Sequence, residues 1–309
     1  MTKVYRVTSR LLSFVLVVTC FGVTAGSAQA SDALDDPQET ATSKAVIAVA
    51  GKAQRLTIAE TGEELKVSAG SGAVRIPLKA SGPITSGNIQ IRLPDLGGGN
   101  AAVADDGTVV YGNNDAAAET SVQATAEGVR ALVVAKHAAA PKEYTFPVTL
   151  PPGGRLVSSA ELLGAQNDTG EIIAMDGTGN VLGIFGKAWA KDAQGATVPT
   201  RYRIEGSSIR QTVELTDATA FPVVMDPEFL TILKCAGVIM ASLGTAIVPG
   251  GAIVRFISKV GSIRKAATIF HRALRAARPA QRNRALRNLL VGVGGSLAGI
   301  EIIADACSD

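Results

Sequence analysis

From residue 45 to residue 227 the chain is cut into short Val- and Ile-rich segments by Gly, Asp-Gly and Pro. Segments of that length are too short for an ordinary helix of about three turns, whereas strands of about five residues fit between successive turn signals. Residues 45–49, 56–58, 65–67, 74–78 and 89–93 therefore read as strands. Asp106-Gly107 reads as a turn feeding a strand that ends at Tyr111, and residues 128–134 form another. In residues 143–150, Tyr144, Phe146 and Val148 alternate with polar neighbours, the pattern of a half-buried strand, and Pro147 points to a sheet edge. Further strands follow on either side of the 176–180 and 191–195 turns and again at 202–204, 212–215 and 221–225. Aromatics make up only 4% of the chain against 33 glycines, so packing must rest on small and β-branched side chains.

Beyond residue 227 the pattern changes. No acidic residue occurs between Phe229 and Ile300, and the 20 residues from Cys235 to Val254 carry no formal charge. That length would admit a membrane span, but Pro249-Gly250-Gly251 interrupts it, giving a buried helix over about 228–247, a turn, and a second helix. In the second, Ile253, Phe256, Ile257, Val260, Ile263, Ala267, Phe270 and Leu274 recur at helical spacing, opposite Arg255, Lys259, Lys265, Arg272 and Arg275. Pro279 opens a third segment, with Leu286, Leu289, Leu290 and Val293 beside Arg282, Arg284 and Arg287. Residues 228–309 hold eleven Lys and Arg against four carboxylates, a net +7, and residues 31–227 hold 16 basic and 23 acidic residues, a net −7. Such polarisation means that the halves attract each other or face different partners.

The first 30 residues carry Lys3, Arg6 and Arg10, then an apolar run over 11–23, then Ser27-Ala28-Gln29-Ala30. This is the three-part pattern of a cleavable signal peptide, with Ala28 and Ala30 as the small residues before the cut. The polar stretch 31–43 reads as a disordered lead-in. Removal of the leader leaves Cys235 and Cys307, an even number in an exported chain, which predicts one bridge closing a loop worth roughly 4 kcal/mol. Three antiparallel helices would leave these cysteines at opposite ends, so four helical pieces are expected, with Gly261 or the Gly292–Gly295 cluster as the extra corner.

The string from Tyr144-Thr145-Phe146 through Ala188-Trp189-Ala190-Lys191-Asp192 and Val198-Pro199-Thr200-Arg201-Tyr202 to Phe221-Pro222-Val223-Val224-Met225-Asp226-Pro227 resembles a group of actinobacterial secreted proteins of uncharacterised function. A related "YPVV-DP" ending closes β modules in wall-associated and Rhs-like proteins, with Phe221 standing here for the usual tyrosine. The resemblance covers roughly residues 105–227 and implies a secreted β module followed by a variable, Cys-bridged helical domain. It brings no catalytic residues with it.

The expected architecture is α+β with the two kinds of element segregated. A sandwich-like β region spans 44–227, with an internal boundary near residue 140 allowed, and a small bundle of about four helical segments spans 228–309. The expected function is that of a non-enzymatic secreted protein, extracellular or envelope-associated. Its cationic residues Arg255, Lys259, Arg264, Lys265, Arg272, Arg275, Arg278, Arg282, Arg284 and Arg287 would engage anionic lipid or a cell-wall polymer. Docking of the basic helices on the acidic β region is the intramolecular use of the same charges. The alternatives are a structural or adhesive cell-surface protein with a soluble bundle, and a secreted hydrolase with an acidic site. Nucleic acid is the less expected partner of an exported chain. His137 and His271 are too few for a metal cluster or a Ser-His pair, the acidic turns 105–107 and 176–180 lack a complete calcium-ligand pattern, and no cofactor is implied.

Overall fold

The computed structural model describes residues 40–53, 58–61, 64–69, 72–113, 115–125, 128–231, 250–278 and 281–291. Across them the chain is mostly antiparallel β-sheet. The first sheet has eight strands in the order β1 (Ile58–Thr61), β2 (Glu64–Ala69), β3 (Gly72–Pro77), β4 (Pro83–Ser86), β5 (Ile89–Arg92), β10 (Glu143–Thr149), β16 (Ser208–Val213) and β15 (Thr200–Glu205). The second runs β11 (Arg155–Ser158), β12 (Ile172–Met175), β13 (Val181–Phe185), β18 (Glu228–Thr231), β9 (Gly128–Ala135), β8 (Ala118–Ala124), β7 (Val109–Tyr111) and β6 (Ala102–Val103). Beside them β17 (Val223–Met225) pairs with β9 and with β14 (Ala190–Lys191).

One continuous core joins the facing sides of the two sheets. From the first sheet come Leu65, Val74, Ile76, Ile91, Tyr144, Phe146 and Ile209, and from the second Val109, Val129, Val133, Phe185 and Phe229. The period of two that places Tyr144, Phe146 and Val148 inward leaves Glu143, Pro147 and Thr149 outward and exposed. Two glycines let the second sheet close on Phe229. A Cβ at Gly183 would meet the Phe229 ring at 2.1 Å, and one at Gly128 would meet the Phe229 carbonyl oxygen at the same distance.

The outer face of the second sheet is covered at both ends. Leu132, Val134 and Val224 lie under α1 (Ala41–Ala50), against Val46 and its neighbours Val49 and Ala50. Val157, Ile173, Met175 and Ile184 lie under three further helices, α3 (Gly250–Val260), α4 (Ile263–Ala276) and α5 (Arg282–Val291). The short α2 (Ser159–Leu163) follows β11 and adds Leu163 to this second layer.

Several expectations are corrected. Residues 45–49 are helical, because Thr40 caps the run by accepting from Ser43 N at 3.0 Å and the alanine-rich stretch turns Thr42, Val46, Val49 and Ala50 to one side. Thr42 and Ser43, at the end of the stretch that read as a disordered lead-in, are buried. Residues 228–231 are a strand in mid-sheet, between β13 and β9, where a helix was expected. The segment from Phe229 runs on through Ile232 and Leu233 to Lys234 with no turn residue, so no turn signal in the sequence marks that strand's end. Pro227 accordingly links two strands, β17 and β18, which both pair with β9. Pro147 lies in a central strand: Val148 N donates to Ser207 O toward β16, so residue 147 faces β5, where pairing begins only at Val148. Of the four expected helical pieces, three are described over 250–291, and the rest of the expected bundle falls outside the described residues.

Candidate anionic-partner interface

Gly261 provides the corner between α3 and α4. It takes φ of +75°, donates its N–H to Ile257 O at 2.8 Å to close α3, and hands the chain to Ser262, whose extended backbone starts α4. The first three amides of a helix have no partner within it. Here Ser262 Oγ accepts from Lys265 N at 3.1 Å, and Glu171, the residue before β12, accepts from Ile263 N at 2.7 Å and Arg264 N at 3.5 Å. The same carboxylate accepts from Ser262 Oγ at 2.8 Å and from Thr169 Oγ1 at 2.7 Å, and Glu171 is 3% exposed. A buried acid of the β module thus caps a cationic helix 92 residues away in sequence.

A second carboxylate acts beside it. Glu228, on β18, pairs with Arg130 Nε of β9 at 3.2 Å and with Arg264 Nη1 of α4 at 3.3 Å, and Arg130 also donates to Ala50 O at the end of α1. Its backbone N–H in turn donates to Asp226 Oδ2 at 3.1 Å. Asp226 is fully buried and also accepts from Trp189 N at 3.1 Å and from the Tyr202 hydroxyl at 3.0 Å. Burial outweighs these donors and pushes its carboxyl up to about 8; burial and then the neighbouring Asp226 push the Tyr202 phenol up as well. The Asp226-Pro227 bond is enclosed in the sheet.

Tyr202 and Glu171 also line a cleft of about 460 Å³ between β15 and the β11–β12 edge, together with Ser158, Asp168, Lys187 and Arg201. Its charges are largely spoken for within the protein. Arg201 reaches Glu214 at 3.5 Å, Glu161 at the rim pairs with Arg155 at 3.0 Å, and Asp168 accepts from Ser159 Oγ and Gly170 N.

The cationic residues distribute around the helical layer as follows. Arg255 and Lys259 on α3, Lys265 and Arg272 on α4, Arg278 beyond it, and Arg284 and Arg287 on α5 are exposed. Arg264 is turned down to Glu228, and Arg282 is half-buried. Arg275 sits on α4 with its side chain outside the described residues, as are Ala28, Ala30, Cys235 and Cys307. The apolar sides of the same helices, including Ile253, Phe256, Ile257, Ile263, Phe270 and Leu290, are buried against the sheet. No described helix is long and apolar enough to cross a membrane, and among the described residues no three His, Cys, Asp or Glu gather as a metal site.

Sequence reasoning missed Glu171, Glu228 and Asp226. Ser262 before an apolar-periodic run is a legible cap, but its partner acid lies in another part of the chain with no local signal. His137 lies exposed in the turn after β9, where its carbonyl accepts from Ala140 N at 3.0 Å. The 176–180 turn is a self-contained cap: Asp176 accepts from Thr178 N and Asn180 N at 2.8 and 2.9 Å, and side-chain bonds from Asn180 and Thr178 hold its carboxyl down at about 2. Comparison with known proteins yields no matching family model, no matching curated protein and no matching solved structure.

Proposed function

We propose that this is a non-enzymatic secreted protein whose helical layer lies flat on an anionic envelope surface, with lipid headgroups as its first partner. The observation that carries the reading is the sidedness of that layer: seven cations face outward on α3 to α5 and the segment between them, while the apolar sides are turned down onto the sheet. The sequence from Phe229 to Ile300 contains no carboxylate to offset them. Each Lys or Arg brought near an anionic bilayer contributes about 1 kcal/mol, so several acting together support reversible binding by charge alone. The β sandwich serves as the carrier, and the bond from Glu228 to Arg264 orients the layer.

The same reading includes cleavage after Ala30, a Cys235–Cys307 bridge, and a fourth helical segment that completes a small bundle of about four. The resemblance to actinobacterial secreted proteins is consistent with it. Sedimentation of the mature protein with vesicles tests the proposal. Binding is expected to vesicles containing anionic lipid and to fall away with purely zwitterionic lipid, at high salt, or on reversal of Lys259, Arg272 and Arg287 to Glu. Equal binding to zwitterionic lipid would overturn it, and binding to purified wall polymer but to no vesicle would move the partner to the wall.

A further inference from the structure

The apolar sides of α3 and α4 are as continuous as their cationic sides, and the β module hides them. Phe256 and Phe270 stack with ring centroids 4.8 Å apart and lie over Ile173, Met175 and Ile184. The polar ties described above converge on three consecutive residues at the corner between the helices: Ser262, Ile263 and Arg264 donate to Glu171, and Arg264 also donates to Glu228. An anionic bilayer offers the helices the same two environments as the β module, an apolar bed and negatively charged groups at its rim. Burial of apolar surface has no direction, so either bed serves it equally. The bonds at 262–264 are directional, and hydrocarbon cannot replace them.

We propose that Glu171 and Glu228 form a latch that holds α3 and α4 apolar side down, and that on an anionic bilayer the opened pair turns over and buries the Phe256 and Phe270 face in lipid. This rests on the proposed function and adds a second, inserted mode to it. In the latched state the protein binds by charge and leaves the bilayer intact; in the open state it perturbs it.

Glu171→Gln in the full mature chain keeps the side-chain shape and removes the charge facing the α4 N-terminus. Without lipid, amide hydrogen exchange over 263–276 is expected to accelerate roughly tenfold, with β9 and β12 unchanged. With dye-loaded vesicles containing anionic lipid, the variant is expected to release dye where the wild type does not, and adding Phe256→Ala is expected to return release to the wild-type level. Unchanged exchange, or release that survives Phe256→Ala, would overturn the latch. Should Glu171→Gln also lose strand protection, Ser262→Ala, which removes the hydroxyl's bond to Glu171 and its bond from Lys265 N, is read by the same criteria. Wild-type protein that ignores anionic vesicles while Glu171→Gln still speeds exchange would defeat the proposed function and the inserted mode but keep the latch. Charge-dependent binding with unchanged exchange and no release would keep the proposed function and defeat both the latch and the inserted mode.

Discussion

The two sheets differ on their outer faces. That of the first sheet carries exposed charge, with Lys66 and Arg75 on β2 and β3 and ion pairs from Arg75 to Glu64 and from Arg210 to Glu143 and Glu205. That of the second carries Leu132, Val134, Val157, Ile173 and Ile184, covered by α1 at one end and α3 to α5 at the other. The difference is written in the strands. Residues of β10 alternate between exposed and enclosed positions, while β12 is buried at all four of its residues. A strand with one wet face alternates; a strand with cover on both sides reads as a continuous apolar run.

Charge insertion should break the comparison most sharply. Ile173→Asp puts a carboxylate beneath the helical layer, where the native side chain is fully buried, and is expected to cost about 4 kcal/mol or more in urea unfolding. Ala73→Asp makes the same insertion on the exposed side of β3 and should stay within about 0.5 kcal/mol. Phe270→Ala removes a buried ring from the helical layer and should cost about 3 kcal/mol.

A pH series sharpens the contrast between interior and surface carboxylates. Asp226 keeps its proton in the folded protein up to about 8, whereas the unfolded chain releases it near 3.8. Between these values the native state binds the extra proton, so each rise in pH favours unfolding. The urea midpoint is expected to decline from about pH 5 to pH 8 in the wild type and to flatten in Asp226→Asn. Asp176 runs the other way: its lowered value makes its contribution present above 3.8 and lost as pH falls toward 2, and Asp176→Asn should remove that acid-side loss. The smaller effects come at the caps and on the bare face. Thr40→Ala should cost about 1 kcal/mol through the loss of the α1 cap, and Arg75→Ala at most about 1 kcal/mol by thermal unfolding.

Much of the β region could be read from the sequence because its signals are local. Turns at Asp106-Gly107, at 176–180 and at 191–195 lie where their residues placed them, and the alternation in β10 gave its inward side chains directly. Residues 45–49 went wrong because Val and Ile in a five-residue window suit a strand, and only the sheet against which Val46 packs decides for the helix. For the interface, the cationic stripes of α3 and α4 were legible from spacing, and Gly261 was one of the two corners foreseen. The carboxylates that orient the layer were not. Glu171 and Glu228 resemble any other acid in a chain with 27 of them until folding brings residues 36 and 92 positions away to within hydrogen-bonding distance.

Because β18 fills the gap between β13 and β9, the second sheet has a keystone that comes last in sequence among the described strands. A chain that stopped at Pro227, where composition divides the protein, would leave the β11–β13 meander without the strand that hydrogen-bonds it to β9. The two compositional halves are therefore a single unit of assembly. The β module waits on the opening residues of the basic region to become whole, and trimming the protein back to its acidic part would yield an unfinished sheet with two raw edges.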